Sequence, residues 1–315
     1  MLSADAPIRV RMEDISKSFG AINSLDRVNL VLRAGEVLGL IGDNGAGKST
    51  LSKILSGAVV PDSGHIVLDG HEVRFASPAD ARRQRVEMVY QDLSLCDTVD
   101  VAGNLLLGRE PLKRMLGVPI MDKHKMHEDA AQMLEHLGIR MPSTRLKVEN
   151  LSGGQRQSIA IGRAVSFDPL VLIMDEPTAA LAVAEVDAVL DLIQRVSATG
   201  VSVILITHRL QDLFVVCDRI MVLYEGRNAA ERLIGETNIE EIVNLIVGRK
   251  FRSISAGAQA GRDDRPPGLP NTQTGKGRPQ GRASSHRRAT TLSYTASHSG
   301  ILITHGSLTE GRGSR

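Results

Sequence analysis

A glycine-rich stretch near residue 45 has the spacing of a phosphate-binding loop. Its residues match the pattern G-x-x-x-x-G-K-[ST] and are Gly42, Asp43, Asn44, Gly45, Ala46, Gly47, Lys48 and Ser49. Glycines let the backbone turn so that its N–H groups point inward and form a nest for anions. Lys48 would place a positive charge on the β- and γ-phosphates, the Ser49 hydroxyl would bind Mg²⁺, and Thr50 would lie beside the α-phosphate. The stretch therefore predicts binding of a nucleoside triphosphate rather than a simple turn.

A second chemical signal is a pair of acids, Asp175 and Glu176, directly after the apolar run Leu170–Met174. Acids at the carboxyl end of a parallel strand lie where ligands bind in such sheets. We expect Asp175 to hold Mg²⁺, through water, and Glu176 to polarise an attacking water as the general base. An isolated acid pair after a strand is often only the start of a helix. The phosphate loop upstream favours the catalytic interpretation.

Alternating strand and helix patterns surround these residues. Short apolar runs at 37–41, 171–174 and 201–206 are typical of buried strands, whereas 8–15 and 28–32 alternate like half-buried strands. Helical spacing of apolar residues covers 49–56, 122–137 and 183–198, and Asp69-Gly70 indicates a hairpin turn within 66–75. This order predicts an α/β fold with a largely parallel central sheet, interrupted by a more helical segment at about 95–165.

Composition excludes several classes of protein. The 315 residues carry a net charge of only +2, which is too small to argue for a nucleic-acid partner. Two Cys are too few for a disulfide framework. No run of 18 apolar residues and no apolar stretch near the start are present, so neither a membrane span nor a secretory signal is expected.

The charge divides the chain into two unlike parts. Residues 251–315 hold nine Arg and one Lys against three acids, and they are rich in Gly, Pro, Ser and Thr. Such a segment buries too little apolar surface to offset the entropy of ordering it. We expect one domain over residues 1–250 and a disordered basic tail over 251–315.

Two further motifs complete a recognisable set. The run LSGGQ at 151–155 lies upstream of the acid pair, and His208 follows an apolar strand in ILITH. With the phosphate loop and acid pair in this order, residues 8–248 resemble the ATP-binding subunits of ABC transporters. The resemblance implies a P-loop NTPase fold with a RecA-like core, an antiparallel β subdomain and an inserted helical subdomain. It implies ATP and Mg²⁺ as cofactors.

The resemblance also assigns roles to residues that carry little signal alone. Gln91, in VYQD, matches the amide that reaches Mg²⁺ and the attacking water, although an isolated Gln is usually an ordinary loop residue. Phe19, in SKSFG, matches the aromatic residue that stacks on adenine, and a core or surface role stays open for it. His208 matches the switch histidine that contacts the γ-phosphate. Lys48, Gln91, Glu176 and His208 are the implied catalytic set.

The LSGGQ run implies that one subunit is insufficient. In the family, two subunits pack head to tail, and each ATP lies between the phosphate loop of one and LSGGQ of the other. Ser152 would supply a hydroxyl, Gly153 and Gly154 would bring their amides to the γ-phosphate, and the helix after Gln155 would aim its positive end there. The implied partners are a second copy or a sister ATPase, transmembrane permease subunits and, indirectly, a periplasmic sugar-binding protein.

The sequences of four stretches narrow the resemblance to one group of ABC importers. GDNGAGKSTL, NLLLGRE, TAALAVAE and LITHRLQD are similar to monosaccharide importers of the ribose, xylose and fructose group, and most to single-cassette fructose importers. The implied function is ATP hydrolysis driving sugar uptake, peripherally at the cytoplasmic side of the inner membrane. A soluble non-transport ABC ATPase and a non-catalytic nucleotide-binding regulator are the alternatives. The residues do not specify the sugar.

One position departs from the family pattern. The D-loop that follows the acid pair usually carries an Asp, but Ala182 stands at that position. The effect of this change on coupling between two paired subunits is open. Because Glu176 and His208 are present, hydrolysis is still expected.

Overall fold

The computed structural model describes residues 6–115 and 117–246, and its largest sheet has six strands. These strands are β3 (Val37–Gly42), β6 (Val86–Val89), β9 (Val171–Asp175), β10 (Ser202–Ile206), β11 (Arg219–Tyr224) and β12 (Arg227–Leu233). Their order is β12-β11-β3-β10-β9-β6, and every pair is parallel except β11 with β12. The predicted parallel sheet is confirmed. The central strands β3, β9 and β10 are almost wholly buried, because both faces of the sheet are covered there, whereas the edge strand β12 is largely exposed.

A separate antiparallel sheet covers one face of the central sheet. It consists of β1 (Ile8–Phe19), β2 (Ile22–Arg33), β4 (Ser63–Leu68) and β5 (His71–Val73) in the order β2-β1-β4-β5. The turn between β4 and β5 lies at Asp69-Gly70, as predicted. Helix α1 (Lys48–Leu55) shares one buried apolar cluster with both sheets, through Leu51, Ile54 and Leu55. This cluster fixes the helix that begins at the phosphate loop.

The other face of the central sheet carries the remaining long helices. They are α4 (Lys123–His136), α5 (Gly153–Val165) and α6 (Val183–Ala198), with short helices α3 (Val101–Leu105) and α7 (Leu210–Val216) and a last helix, α8, at 239–246. Helix α2 (Pro78–Arg83) instead packs through Ala81 into the cluster shared with the antiparallel sheet. The predicted helices at 122–137 and 183–198 are confirmed to within one residue at each end. Their apolar stripes join α3 and α5 in a second buried cluster.

The segment at about 95–165 is not helical throughout. It contains a two-stranded hairpin of β7 (Leu112–Met115) and β8 (Val118–Met121) around Gly117, whose φ of 84° suits glycine. Lys113 and Arg114 are adjacent in β7, β8 reads VPIM, and all described side chains of both strands are exposed except that of Ile120, which is half-buried. Neither an apolar period of two nor burial of one face marks this stretch as strand, and the turn at Gly117 lets the two strands pair with each other.

The expected domain boundary near residue 250 and the expected basic tail over 251–315 lie outside the described residues. They stay predictions.

A buried asparagine, Asn104, connects the start of the segment at about 95–165 to helix α3. Asn104 is fully buried, and its Oδ1 accepts from the Cys96 N–H at 2.8 Å. Its Nδ2 donates to the carbonyls of Cys96, Val99 and Asp100 at 3.0–3.2 Å. One side chain thus satisfies four backbone groups of the loop that leads from β6 into the helices.

We predict that Asn104→Asp strongly destabilises the protein, because a buried carboxylate would then face three carbonyl oxygens. The expected loss is at least about 3 kcal/mol in the free energy of unfolding, measured by urea denaturation. The matched control is Asn150→Asp at an exposed position, which should change the same quantity by no more than about 0.5 kcal/mol. Equal effects of the two substitutions would contradict this account of Asn104.

Candidate nucleotide site

The carboxyl ends of three neighbouring strands bring the predicted chemical groups to one edge of the sheet. In the ladder, Ile206 of β10 pairs with Leu40 of β3 on one side and with Asp175 of β9 on the other. The phosphate loop follows β3, the acid pair ends β9, and His208 lies two residues beyond β10. Parallel pairing alone therefore places these motifs together, although up to about 165 residues separate them in the chain.

The phosphate loop is held by its own backbone and by Lys48. The Nζ of Lys48 donates to the carbonyls of Gly42 at 2.8 Å and Asp43 at 3.0 Å, and the Asn44 N–H donates to the Asp43 carboxylate at 3.0 Å. Burial lowers the pKa of Lys48, while the charges of Glu176, Asp175 and Asp43 act to raise it. The ammonium group thus lies within the loop and within the field of three acids.

One glycine of the loop is required by a close contact with β2. A Cβ on Gly47 would lie 2.7 Å from the Ser24 carbonyl oxygen and 2.5 Å from a methyl of Leu25, and its φ is 97°. The Ser24 hydroxyl also lies 2.7 Å from the Thr50 hydroxyl, so the antiparallel sheet supports the loop directly. Sequence reasoning missed Ser24, because nothing near it in the chain signals chemistry.

The two acids differ in their surroundings. Burial raises the pKa of Asp175, the Glu176 charge adds to this, and Lys53 and Lys48 oppose it. Glu176 has a φ of 53°, which is uncommon for a residue with a side chain, and its Oε2 lies 2.8 Å from Nδ1 of His208. The structure thus brings the expected base and the expected switch histidine into direct contact.

The predicted nucleotide contacts at the rim are exposed. Gln91 is exposed two residues after β6, whose last residue, Val89, pairs with Met174 beside Asp175. Phe19 is 49% exposed at the end of β1, with the Lys17 ammonium 5.5 Å from its ring centroid. Gln91 lies at the same edge as the acids, and Phe19 lies on the hairpin that carries Ser24.

The LSGGQ residues form a separate group at the start of α5. Ser152 and Gln155 cap the helix reciprocally: the Ser152 N–H donates to the Gln155 amide oxygen at 3.0 Å, and the Gln155 N–H donates to the Ser152 hydroxyl at 3.3 Å. Gly153 and Gly154 lie against Glu185 of α6, whose Cβ would be 2.7 Å from a Cβ on Gly154. The contacts described for these two glycines, Ser152 and Gln155 are with α5, with α6 and with the residues just before α6, Ala180 and Leu181, and none is with the phosphate loop.

Helix α6 begins directly after Ala182, the residue that departs from the family pattern. Ala182 is its N-cap residue and provides no side-chain cap, but its N–H donates to the Glu185 carboxylate at 3.2 Å. Hydrogen bonds from the Ser152 side chain and from the Ala182 and Gly154 amides lower the pKa of Glu185. Glu185 thus connects LSGGQ to the start of α6, a role that its sequence pattern did not indicate.

Comparisons with known proteins agree with this geometry. A family model described as "ABC transporter" matches residues 25–179. A xylose/arabinose import ATP-binding protein of Sulfolobus acidocaldarius is 43% identical over 248 residues, which cover 79% of this chain and 97% of that protein. The chain belongs to the ATP-binding proteins of ABC transporters. It is accordingly an ATP-binding cassette ATPase.

Other relatives of this ABC ATPase differ in length. A ribose import ATP-binding protein of Geobacillus kaustophilus is 41% identical over 242 residues, which cover 77% of this chain but only 48% of that protein. The chain therefore spans about half the length of the ribose relatives that it matches. Among solved structures, the ADP conformation of MJ1267, an ATP-binding cassette of an ABC transporter, has a TM-score of 0.66 at 28% identity. The match covers 79% of this chain and 99% of that one.

We predict that Gly47→Ala destabilises the nucleotide-free protein more than Gly45→Ala does. Both positions have positive φ, 97° and 81°, but a Cβ on Gly45 meets nothing within 4 Å. The difference between the two variants therefore isolates the clash of residue 47 with Ser24 and Leu25. We expect it to be about 1–3 kcal/mol in the free energy of unfolding, measured by urea denaturation. Equal stabilities would show that the backbone of β2 does not constrain the loop.

Proposed function

We propose that this chain is the ATP-hydrolysing subunit of an ABC importer that powers uptake of a monosaccharide across the inner membrane. The observation that carries the hydrolytic part is the Glu176–His208 pair, 2.8 Å apart at the sheet edge where the phosphate loop begins. Support for a sugar comes from relatives named for import of xylose, arabinose and ribose. Fructose joins these sugars as a candidate, because several motifs are similar to those of fructose importers.

The hydrolytic roles follow from the contacts at the sheet edge. Lys48, the loop amides, Ser49 and Thr50 would bind the phosphates, and Phe19 would stack on adenine. Glu176 would accept a proton from water as the water oxygen attacks the γ-phosphorus and the bond to the β-phosphate oxygen breaks, giving ADP and phosphate. Because Nδ1 of His208 faces Glu176, its Nε2 remains for the γ-phosphate.

The residues at the site fit a Mg²⁺ ion bound together with the nucleotide. Among the described residues, no three His, Cys, Asp or Glu side chains form a metal cluster. Mg²⁺ in nucleotide sites typically uses one or two protein ligands plus phosphate oxygens and water, and Asp175, Ser49 and Gln91 can supply these. Burial and the Glu176 charge raise the pKa of Asp175, so a cation bound beside it would favour its charged form. The ion would neutralise phosphate charge during the reaction.

A second subunit is part of the proposal. Ser152, Gly153, Gly154 and Gln155 lie at the N-terminus of α5, where amides and the helix dipole favour an anion. Since their contacts lie with α5 and α6, we infer that they serve the nucleotide of another subunit, either a second copy or a sister ATPase. Closure of the two paired subunits would then depend on the γ-phosphate. Loss of this phosphate on hydrolysis would favour opening of the pair.

We propose that transmembrane permease subunits hold the protein peripherally at the cytoplasmic side of the inner membrane, with a periplasmic sugar-binding protein as an indirect partner. No helix in the described residues is long and apolar enough to cross a bilayer. A groove of about 240 Å³ lies between α5, β6 and the residues after Gln91. Phe167 is one of its lining residues. The guanidinium carbons of Arg109 and Arg82 lie 3.9 Å and 4.8 Å from the centroid of the Phe167 ring. We take this groove as the permease-docking surface.

We predict that Arg109→Glu weakens association with the permease, because the substitution removes a guanidinium packed on Phe167 and reverses a charge beside the groove. Retention of the permease during co-purification should fall at least about tenfold, a loss typical of an interface anchor. Arg145→Glu makes the same charge change at an exposed residue outside the groove and should leave retention unchanged. Loss of retention in both variants, or in neither, would argue against this docking surface.

The whole proposal is tested by transport. The chain is expressed with the permease and sugar-binding protein of a monosaccharide importer, in cells lacking that importer's own ATPase, and uptake of labelled ribose, xylose, arabinose and fructose is measured. We predict ATP-dependent uptake of at least one of these sugars. Glu176→Gln should bind ATP like the parent and accumulate as a dimer with ATP, but lose turnover by about 10²-fold or more and abolish uptake.

The outcomes separate the alternatives. ATP hydrolysis without association with a permease would favour a soluble non-transport ABC ATPase. ATP binding without hydrolysis in the parent chain would favour a nucleotide-binding regulator. Unchanged hydrolysis in Glu176→Gln would overturn the assignment of the base.

A further inference from the structure

A buried hydrogen bond joins the two turns that carry the proposed catalytic pair. One turn follows β9 and runs from Glu176 into α6; the other follows β10 and runs through His208 into α7. Between them, the Thr178 hydroxyl donates to Oδ2 of Asp212 at 2.5 Å. Thr178 is 1% exposed and Asp212 is 3% exposed. A bond so fully removed from water fixes the distance between the two turns more firmly than a surface contact does.

The same carboxylate oxygen also reaches the residue next to His208. Nε of Arg209 lies 3.3 Å from Oδ2 of Asp212, and the Arg209 N–H donates to the Thr207 hydroxyl at 3.0 Å. Asp212 lies in the first turn of α7, so its position moves with that helix. A buried acid needs such partners, because an unpaired charge away from water is costly. Asp212 therefore contacts one residue from each turn.

The turn after β9 needs this support because Glu176 is conformationally strained. Its φ of 53° lies in the left-handed region, which is unfavourable for a residue with a side chain. Such strain persists only where the surroundings determine the conformation. The Glu176 N–H donates to the Ile206 carbonyl at 2.8 Å, and its own carbonyl accepts from Ala179 at 3.3 Å. Thr178 lies between these anchors and is the link to α7.

We propose that Asp212 is a positioning residue that, through Thr178 and Arg209, sets the relative placement of Glu176 and His208. Its carboxylate is buried, so it acts on hydrolysis through the pair and not by touching the nucleotide. The inference rests on the proposed function, since it takes Glu176 as the base and His208 as its partner. It adds a residue that the motif set does not contain.

The same bond connects the turn that carries His208 to residues 179–182, all of which are exposed except Leu181, which is half-buried. These residues directly follow Thr178 and form the loop that leads into α6. In this chain Ala182 supplies no acid to that loop. The Thr178–Asp212 bond therefore joins this loop, within one subunit, to the helix whose N-cap residue, Arg209, directly follows His208.

The test uses the full chain and replaces Thr178 by residues of closely similar size. Thr178→Val removes the hydroxyl and should lower kcat for ATP hydrolysis about tenfold while changing KM for ATP less than about twofold, since misplacement of a catalytic group affects the chemical step. Thr178→Ser keeps the hydroxyl and should restore kcat to within about twofold of the parent. The control is Thr199→Val, which should leave kcat unchanged. Among the bonds described, the Thr199 hydroxyl donates only to the Val196 carbonyl at the end of its own helix.

A second measurement separates positioning from a structural fault. Thr178→Val is combined with His208→Ala, and turnover is measured against a Glu176→Gln blank. If Thr178 acts by placing the pair, its substitution should cost much less than tenfold once His208 is absent. An equal loss in both backgrounds, parent-like kcat in Thr178→Val, or failure of Thr178→Ser to restore activity would overturn the proposal.

These outcomes are distinct from failure of the proposed function. If Glu176→Gln retains full turnover, the assignment of the base fails, whatever Thr178→Val does. If Glu176→Gln is inactive and Thr178→Val has parent-like kcat, only the role of Asp212 fails.

Discussion

The backbone register of the parallel sheet is the constraint on which the site depends. Hydrogen bonds of β10 with β3 on one side and β9 on the other set the height at which each strand ends. A shift of two residues in either ladder would move a strand end by nearly 7 Å, about twice the length of a hydrogen bond. The contact between Glu176 and His208 at 2.8 Å would then be lost, although every motif would still be present in the chain. Large apolar side chains on both faces of these strands make such a shift costly.

The antiparallel sheet provides the second constraint, because it approaches the phosphate loop from outside. The Ser24 carbonyl and Leu25 leave no space beside Gly47, and the Ser24 hydroxyl contacts Thr50. The loop is therefore shaped by two sheets rather than by its glycines alone. These contacts restrict a loop in which Gly42, Gly45 and Gly47 all have positive φ.

Much of this organisation could be predicted from the sequence, for identifiable reasons. Strands such as β3 and β9 are apolar runs bounded by glycine or acids, and α4 and α6 show a clear helical period, so local patterns sufficed. The motif order identified Lys48, Asp175, Glu176 and His208 as one site. Ser24, Thr178 and Asp212 were not predicted, because their importance depends on contacts between segments distant in sequence. The β7–β8 hairpin was missed within a segment interpreted as mainly helical, because its residues show no period of two and its side chains are mostly exposed.

The small buried area of the β7–β8 hairpin predicts that this part of the protein opens locally. Its two strands pair with each other over only four residue pairs, and their side chains face water almost throughout. A two-stranded ribbon with so little burial is marginally stable by itself. Its amides should therefore exchange with solvent through brief local openings, while those of β3 and β10, buried on both faces, exchange only when much larger parts of the molecule unfold. The strands of the nucleotide site and the β7–β8 hairpin should therefore exchange their amide hydrogens through different opening events. A single hydrogen-exchange experiment would report on both.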